Sequence, residues 1–349
     1  MRRALVAVMV VGVAVVAGAG PALACGGLIG RNGAVNLGRT TTLAAYAAGV
    51  EHYVTAFEFN GAGGEFGSIV PLPGVPTNVE RGGDWTLQRL VREVTPIEAT
   101  NGRADLQLTG AKAATARELI NTRIDALDLT VLEGGGKAVG DWAREHGFLL
   151  PPDSPEVLDF YAERSPIFLA ARFNGAAAAS RGTSIGDGTP IHLTIPTPNP
   201  WVPLRILGLG QAPDAPVEAD VFLLTEHQPA LLPVGNNAGF ELERSESASG
   251  SLLSDLRADK GMEWMPSSMW LSYLKIDTPA RVLKYDLAVD ASGFSPSPRA
   301  AGLPGALLPP IAAKTAVDGA LVVTLFVGAA VLLLGAYFVG RSGRARLRT

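Results

Sequence analysis

The chain has 349 residues, of which 47% are hydrophobic and 18% are charged, with a formal net charge of −4 at pH 7. Without its two ends the chain is more acidic: residues 25–316 contain 23 basic and 32 acidic side chains. This balance argues against nucleic-acid binding and against an electrostatic attachment to anionic lipid. Cys25 is the single cysteine, which excludes an intramolecular disulfide and any zinc site that needs two cysteines from this chain.

The first 24 residues are predicted to be a secretory signal peptide. Two arginines precede an apolar stretch over residues 4–19, and an Ala-Leu-Ala triplet ends at Ala24. A basic start, an apolar middle and a small-residue cleavage site are the three parts of such a peptide. Cleavage after Ala24 would make Cys25 the first mature residue. Lipidation of Cys25 and an uncleaved anchor are the alternatives, although the leucine usual three residues before a lipidated cysteine is absent.

The domain is expected to begin with a β-hairpin over residues 40–59. Its turn falls at Ala48-Gly49, and the alternation in the second strand places His52 on the face opposite Tyr53. The segment FGSIVPLP is expected to continue as a third strand, which the following prolines end.

Further helices and strands alternate irregularly along the rest of the domain. Helices are expected near 85–94 with Asp84 as N-cap, near 112–121, over 138–145 and from Pro155 with Ser154 as N-cap. Strands are expected at 129–133, 167–173, 191–195, 204–209 and 219–225, with 271–276 and 282–289 as a closing pair. This order does not fit a doubly wound fold. The sequence therefore predicts an α+β domain with a mainly antiparallel β-sheet and a few short helices.

The C-terminal part predicts a membrane anchor. The apolar run from Gly319 to Gly340 contains no charge, and its 22 residues span ~33 Å, enough to cross a hydrocarbon core. Four arginines follow, which is typical of a cytoplasmic tail. The expected organisation is a signal peptide over 1–24, an extracytoplasmic domain over 25–290, a Pro/Ala/Gly-rich stalk over 291–316, a transmembrane helix over 317–340 and a basic tail over 341–349.

No compact catalytic or metal-binding motif occurs in the sequence. The histidines at 52 and 192 are expected within strands, His146 at a helix C-terminus and His227 in a loop. No HExxH motif or acidic triplet brings metal ligands together, so neither a metal nor a cofactor is expected. A site assembled from distant parts, for example His52, His192 and Glu226, is an open alternative.

The candidate nucleophiles lack the surroundings that would activate them. Ser68 is not part of a G-x-S-x-G elbow. Ser272 and Lys275 match S-x-x-K, but in a strand that spacing places the two side chains on opposite faces. Cys25 could act as an N-terminal nucleophile only through its own amine. We therefore assign no catalytic residue.

Three tryptophans form a candidate binding surface. Trp201 lies among four prolines, while Trp264 and Trp270 flank the segment MPSSM. Aromatic rings on stiff loops can stack on sugars or anchor a partner protein. The alternative is that these rings cap the domain core.

Several segments resemble a bacterial family of exported proteins catalogued as DUF2330. They are Cys25-Gly26-Gly27, EHYVTAFEF, FGSIVPLPGVP, GDWTLQRLVREV, DWAREHGFLLPPDSPEVLDFYAER and MWLSYLKIDTPARVLKYDLAV. The resemblance implies a signal peptide, an outer domain and often a C-terminal span, but no activity, substrate or catalytic residue.

Two classes of function follow from the sequence. The favoured hypothesis is a single-pass membrane protein whose extracytoplasmic domain binds a cell-envelope protein or glycan without catalysis. The alternative is a cell-envelope hydrolase whose active site is assembled only in three dimensions.

Overall fold

The computed structural model describes residues 27–30, 40–56, 66–95, 116–148, 150–173, 189–233 and 238–303. These residues form three β-sheets and a few short helices, and every strand pair is antiparallel except one. The expectation of a mainly antiparallel, strand-rich α+β domain is therefore confirmed.

The strands and helices are numbered in chain order. The strands are β1 (Gly27–Gly30), β2 (Thr40–Ala47), β3 (Val50–Ala56), β4 (Phe66–Leu72), β5 (Asn78–Arg81), β6 (Arg117–Ile124), β7 (Leu127–Glu133), β8 (Ile167–Phe173), β9 (Pro190–Pro196), β10 (Trp201–Val202), β11 (Pro216–Thr225), β12 (Ala230–Leu232), β13 (Glu241–Ser247), β14 (Trp270–Pro279) and β15 (Leu287–Asp290). The α-helices are α1 (Thr86–Val94), α2 (Gly136–Glu145), α3 (Ser154–Ala162), α4 (Gly250–Ala258) and α5 (Pro298–Ala301), with 3-10 helices at Arg205–Gly208 and Ala280–Val282.

The largest sheet has seven strands in the order β13-β14-β11-β2-β3-β9-β5. The pair β11–β2 is its parallel contact. The predicted hairpin forms its centre, because β2 and β3 pair directly across a two-residue turn. Ala48 and Gly49 have φ angles of 51° and 81° in that turn, the left-handed pair that matches the twist of a tight hairpin.

The second sheet has five strands in the order β1-β4-β8-β7-β6, and it separates two parts of the core. Leu129 and Leu169 share one hydrophobic cluster with the seven-stranded sheet. Phe168 and Ala170 on the opposite face pack with helices α2 and α3. A three-stranded sheet, β10-β15-β12, completes the domain.

Helix α1 is held by a carboxylate that is distant in sequence. Asp84, the expected N-cap, makes no cap hydrogen bond; the cap position is Trp85. The Asp259 carboxylate instead accepts hydrogen bonds from the backbone N–H groups of Asp84 (3.1 Å) and Trp85 (2.9 Å) and from the Thr86 hydroxyl (2.8 Å). Asp259 follows α4 and therefore joins the start of α1 to the end of that helix.

Three local predictions are wrong. The described part of the helix expected over 112–121 is strand β6, because pairing with β7 overrides the weak helical pattern. The strand expected over 204–209 is a 3-10 helix. The closing strand pair does not form, since β14 pairs with β11 and β13 whereas β15 pairs with β10 and β12 in another sheet.

The folded domain extends beyond its expected end at residue 290. Ala300, Ala301 and Leu303 are buried in the cluster that contains α2 and α3, so the first part of the expected stalk packs on the domain. Residues 304–316, the expected signal peptide over 1–24 and the expected span over 317–340 lie outside the described residues. Within the described part of the chain, no helix has the length and apolar character needed to cross a bilayer.

Candidate functional site

The register of three strands brings His52, His192 and Glu80 together on one face of the seven-stranded sheet. His192 on β9 lies opposite Val54 on β3, and His52 lies opposite the next residue on that face, Thr194. On its other side, His192 lies opposite Glu80 on β5. His192 thus becomes a neighbour of Glu80, which lies 112 positions earlier in the sequence, and of His52, which lies 140 positions earlier.

A chain of two hydrogen bonds joins these three side chains. His192 Nδ1 lies 3.1 Å from Glu80 Oε1, and His192 Nε2 lies 2.9 Å from His52 Nδ1. An ionised carboxylate can only accept, so Nδ1 of His192 carries the proton. Its Nε2 is then the acceptor, and His52 Nδ1–H is the donor. We call this row of three residues the histidine relay.

Trp264 covers the histidine relay. Its indole lies parallel to the His52 ring, with the ring centroids 3.8 Å apart and the planes inclined by 7°. The His192 centroid is 5.1 Å from the indole and its plane is inclined by 22°. Arg257 fixes the loop that carries Trp264, because its guanidinium donates to the carbonyl oxygens of Met265 and Pro266.

Both histidines are held in the neutral form. Burial lowers the pKa of His192 from 6.5 to about 4. Burial, and then the neighbouring His192, lowers the pKa of His52 to about 4, with Glu80 acting in the opposite direction. Uncharged imidazoles and an indole can therefore stack closely at neutral pH.

Glu51 is a second perturbed group, on the opposite face of β3. It is fully buried, and neither carboxyl oxygen has a hydrogen-bond partner of good geometry among the described residues. Burial raises its pKa from 4.5 to about 8, and the nearby backbone N–H of Trp201 offsets this only in part. Glu51 is therefore protonated at neutral pH.

Trp201 is not on the surface, which corrects one predicted binding residue. Only 3% of it is exposed, because β10 pairs with β15 and turns the indole into the core. Its ring stacks on Tyr161 and lies 4.9 Å from the Arg164 guanidinium carbon. Asp286 ion-pairs with Arg164 and accepts a 2.8 Å hydrogen bond from the Tyr161 hydroxyl.

The other two tryptophans are half-buried. Trp264 covers the histidine relay, and Trp270 donates a 2.9 Å hydrogen bond to the Ser245 hydroxyl. The methionines 262, 265 and 269, which lie near both tryptophans in sequence, are buried in the core.

The remaining candidate residues do not meet in a site. His146 is the C-terminal cap residue of α2, and its ring stacks on Trp142. His227 is exposed, and Glu226 does not join the histidine relay. Ser68 is buried in β4 and has no hydrogen-bond partner among the described residues. Ala24 and Cys25 lie outside the described residues.

The donor groups of the relay do not form a conventional metal site. Among the described residues, no group of three or more His, Cys, Asp or Glu side chains is arranged to hold a metal ion. Glu80 binds the far nitrogen of His192 and so cannot act as a third ligand at the point where the two histidines meet.

The family model described as "Uncharacterized protein conserved in bacteria (DUF2330)" matches residues 19–234. The chain belongs to this family. The match includes β3, β5 and β9, so the three residues of the histidine relay lie within the family region, whereas Trp264 lies beyond it.

Comparison with other proteins adds no activity to this DUF2330 chain. No curated protein matches it. Baculovirus P35 has a similar arrangement at 10% identity and a TM-score of 0.38, covering 72% of this chain and 95% of that one. The caspase-8/P35 complex contains a chain at 7% identity and a TM-score of 0.33, covering 72% and 92%. Likenesses at this level carry no argument about function.

Sequence reasoning placed His52 and His192 in strands but did not identify Glu80 or Glu51. Glu51 follows the turn of the hairpin, where a glutamate is normally expected to be exposed. Its position on the face shared with Tyr53 and Thr55 was the available signal. No local signal identified Glu80, since only the β5–β9 register brings it to His192.

Proposed function

We propose that this protein is a non-enzymatic binding module of the bacterial cell envelope, held outside the membrane by a C-terminal transmembrane helix. The signal-peptide pattern, the uncharged run Gly319–Gly340 and the arginines that follow support this topology. The acidic composition of residues 25–316 favours a protein or glycan partner over nucleic acid.

The observation that carries the binding proposal is the presentation of Phe294. Its side chain is 81% exposed, the largest exposure among the big hydrophobic side chains of the described residues. The Asp290 carboxylate accepts hydrogen bonds from the backbone N–H groups of Ser292 (2.8 Å), Phe294 (3.3 Å) and Ser295 (2.7 Å). These bonds hold the backbone of the loop that carries the exposed ring.

A braced aromatic residue is well suited to anchor a partner. Exposing a phenylalanine to water is unfavourable, and this ring contributes nothing to the core. Because the loop is already ordered, binding loses little further conformational entropy. Aromatic anchors of this kind contribute ~2 kcal/mol or more in protein interfaces. We therefore place the binding surface at the 290–295 loop rather than at Trp201.

Crosslinking in intact cells, followed by mass spectrometry, tests the binding proposal. The Phe294→Ala variant should capture the partner at least ~10-fold less than the wild type, since the loss of ~2 kcal/mol weakens binding ~30-fold. Leu242→Ala is the matched control, because Leu242 is also exposed but lies on edge strand β13. Equal capture by wild type and Phe294→Ala would remove the loop from the proposal. Capture of glycan fragments rather than a protein would identify the partner as a glycan.

The topology has a separate test. Protease added to whole, wall-stripped cells should digest the domain and leave the cytoplasmic tail protected. Survival of the domain while a known external marker is digested would refute the extracytoplasmic placement.

The second candidate function is a cell-envelope hydrolase, and the histidine relay is the observation that favours it. Glu80 orients His192, which in turn accepts a hydrogen bond from Nδ1 of His52. The other ring nitrogen of His52, Nε2, has no hydrogen-bond partner in the described part of the chain. That nitrogen could serve as a general base. If so, His52→Ala should abolish the hydrolysis of a chromogenic ester panel while His227→Ala leaves it unchanged. Equal rates in both variants would exclude this role.

A further inference from the structure

The histidine relay aims two ring nitrogens at one point. The ring centroids of His52 and His192 are 5.1 Å apart and their planes are inclined by 25°. The nearest nitrogens are 2.9 Å apart, which is shorter than the distance between the centroids by about one ring diameter. The two rings therefore lie edge to edge rather than one above the other. The lone pair of His192 Nε2 therefore points almost directly at His52 Nδ1.

Glu80 holds His192 in the tautomer that a metal ligand requires. A histidine that binds a metal through Nε2 commonly donates its Nδ1–H to a carboxylate, which fixes the ring and strengthens the donor. The 3.1 Å contact between His192 Nδ1 and Glu80 Oε1 is this arrangement. Glu80 also supplies one negative charge next to the pair, although its own side chain is 45% exposed.

The indole of Trp264 supplies a flat electron-rich surface beside the same point. It is nearly parallel to both imidazoles, at centroid distances of 3.8 and 5.1 Å. An ion located between the two nitrogens would therefore face the indole ring. A cation within ~6 Å of a tryptophan face is attracted by the ring quadrupole.

We propose that His52 and His192 bind a monovalent d10 metal ion, Cu(I) or Ag(I), beneath Trp264. The site offers two opposed nitrogen donors and an aromatic face, and this favours ions that accept two collinear ligands. Zn²⁺ prefers four ligands in tetrahedral geometry, and Ca²⁺ and Mg²⁺ prefer oxygen. Neither preference is met, because no third His, Cys, Asp or Glu side chain among the described residues joins the two histidines as a ligand. This inference is independent of the proposed binding function at Phe294.

Binding requires a proton shift and a small movement. The ion takes the position of the proton on His52 Nδ1, and that proton transfers to the unpartnered Nε2 of the same ring, so the ring remains neutral. Two nitrogens ~2.0 Å on either side of an ion are ~4 Å apart. The pair must therefore open by about 1 Å from its hydrogen-bonded distance of 2.9 Å. His52 is only half-buried, so its ring can make most of this movement.

Silver(I) is the probe of choice because it needs no reductant. The full-length protein should carry Cys25→Ser, since a thiolate would otherwise bind Ag(I) in its own right. Equilibrium dialysis should show one Ag(I) per chain, with a change in the fluorescence of Trp264. Zn²⁺ should not compete when present at the same concentration.

Four variants locate the site. His52→Gln should abolish stoichiometric binding, and Glu80→Gln should weaken it ~10–100-fold through His192. Trp264→Leu should remove the fluorescence response while retaining most of the binding. His227→Ala is the matched control, because this histidine is exposed and takes no part in the hydrogen bonds of the relay, and it should bind as the wild type does.

Two results would overturn the proposal. Unchanged Ag(I) stoichiometry in His52→Gln, with the circular dichroism of that variant matching the wild type, would place any bound ion elsewhere. Stoichiometric Zn²⁺ binding that displaces Ag(I) would show that the site is a divalent one. Loss of Phe294-dependent crosslinking would leave the metal-site proposal unaffected.

Discussion

Glu51→Gln should stabilise this protein at neutral pH, which is unusual for a substitution in the centre of a sheet. Glu51 is fully buried and protonated in the folded state, with a pKa raised from 4.5 to about 8. On unfolding at pH 7 the carboxyl loses its proton to water. The folded state therefore binds the proton more tightly, and stability falls as the pH rises from 4.5 to 8. Glutamine has nearly the same shape and carries no proton to lose.

The expected size of the effect follows from the two pKa values. At pH 7 the unfolded pKa lies 2.5 units below the pH, and each unit corresponds to ~1.36 kcal/mol, so Glu51 destabilises the fold by about 3 kcal/mol. Above pH 8 the difference reaches a ceiling of about 5 kcal/mol. Near pH 4 the carboxyl is protonated in both states, and the wild type and Glu51→Gln should be equally stable to within ~1 kcal/mol.

Urea denaturation at half-unit steps from pH 4 to pH 9 measures this difference. The free energy of unfolding of the variant minus that of the wild type should rise through this range, with equal m values. Glu241→Gln is the control, because Glu241 is an exposed glutamate on edge strand β13. A difference that is constant with pH would show that Glu51 is not a buried neutral acid, and the reasoning would fail.

Three further perturbations test the fold. A histidine whose pKa is lowered to about 4 destabilises the fold as the pH falls from 6.5 to 4, so His192→Gln should reduce the loss of unfolding free energy over that range by up to about 3 kcal/mol. The same loss in wild type and variant, measured by urea denaturation, would contradict this. Asp286→Ala should lower the free energy of unfolding by ~3–5 kcal/mol because it leaves Arg164 buried without a counter-charge, and Asp286→Asn should lower it less; equal values would refute the ion-pair account. Asp259→Ala should cost about 2 kcal/mol and speed hydrogen exchange of the Trp85 amide, and unchanged exchange would show that Asp259 does not hold this helix start.

The sequence predicted much of the secondary structure because the signals were local. The hairpin was predictable from the alternation around Ala48-Gly49, where two consecutive left-handed residues form a tight turn. Strand β8 was predicted within its observed bounds from a short apolar run. Local patterns failed where pairing outweighs propensity, as in β6, where the β7 partner decides the conformation of residues 117–124.

What the sequence by itself determined is the class of the protein: an acidic, strand-rich α+β chain with a single cysteine, and short segments that identify its family. These properties follow from composition and from neighbours within a few residues. Tertiary structure alone decided which residues meet. His52 and His192 are 140 positions apart, and a register shift of one residue would turn either ring to the other face of the sheet. The same register buries Glu51, places Glu80 beside His192, and leaves Trp264 to cover the pair.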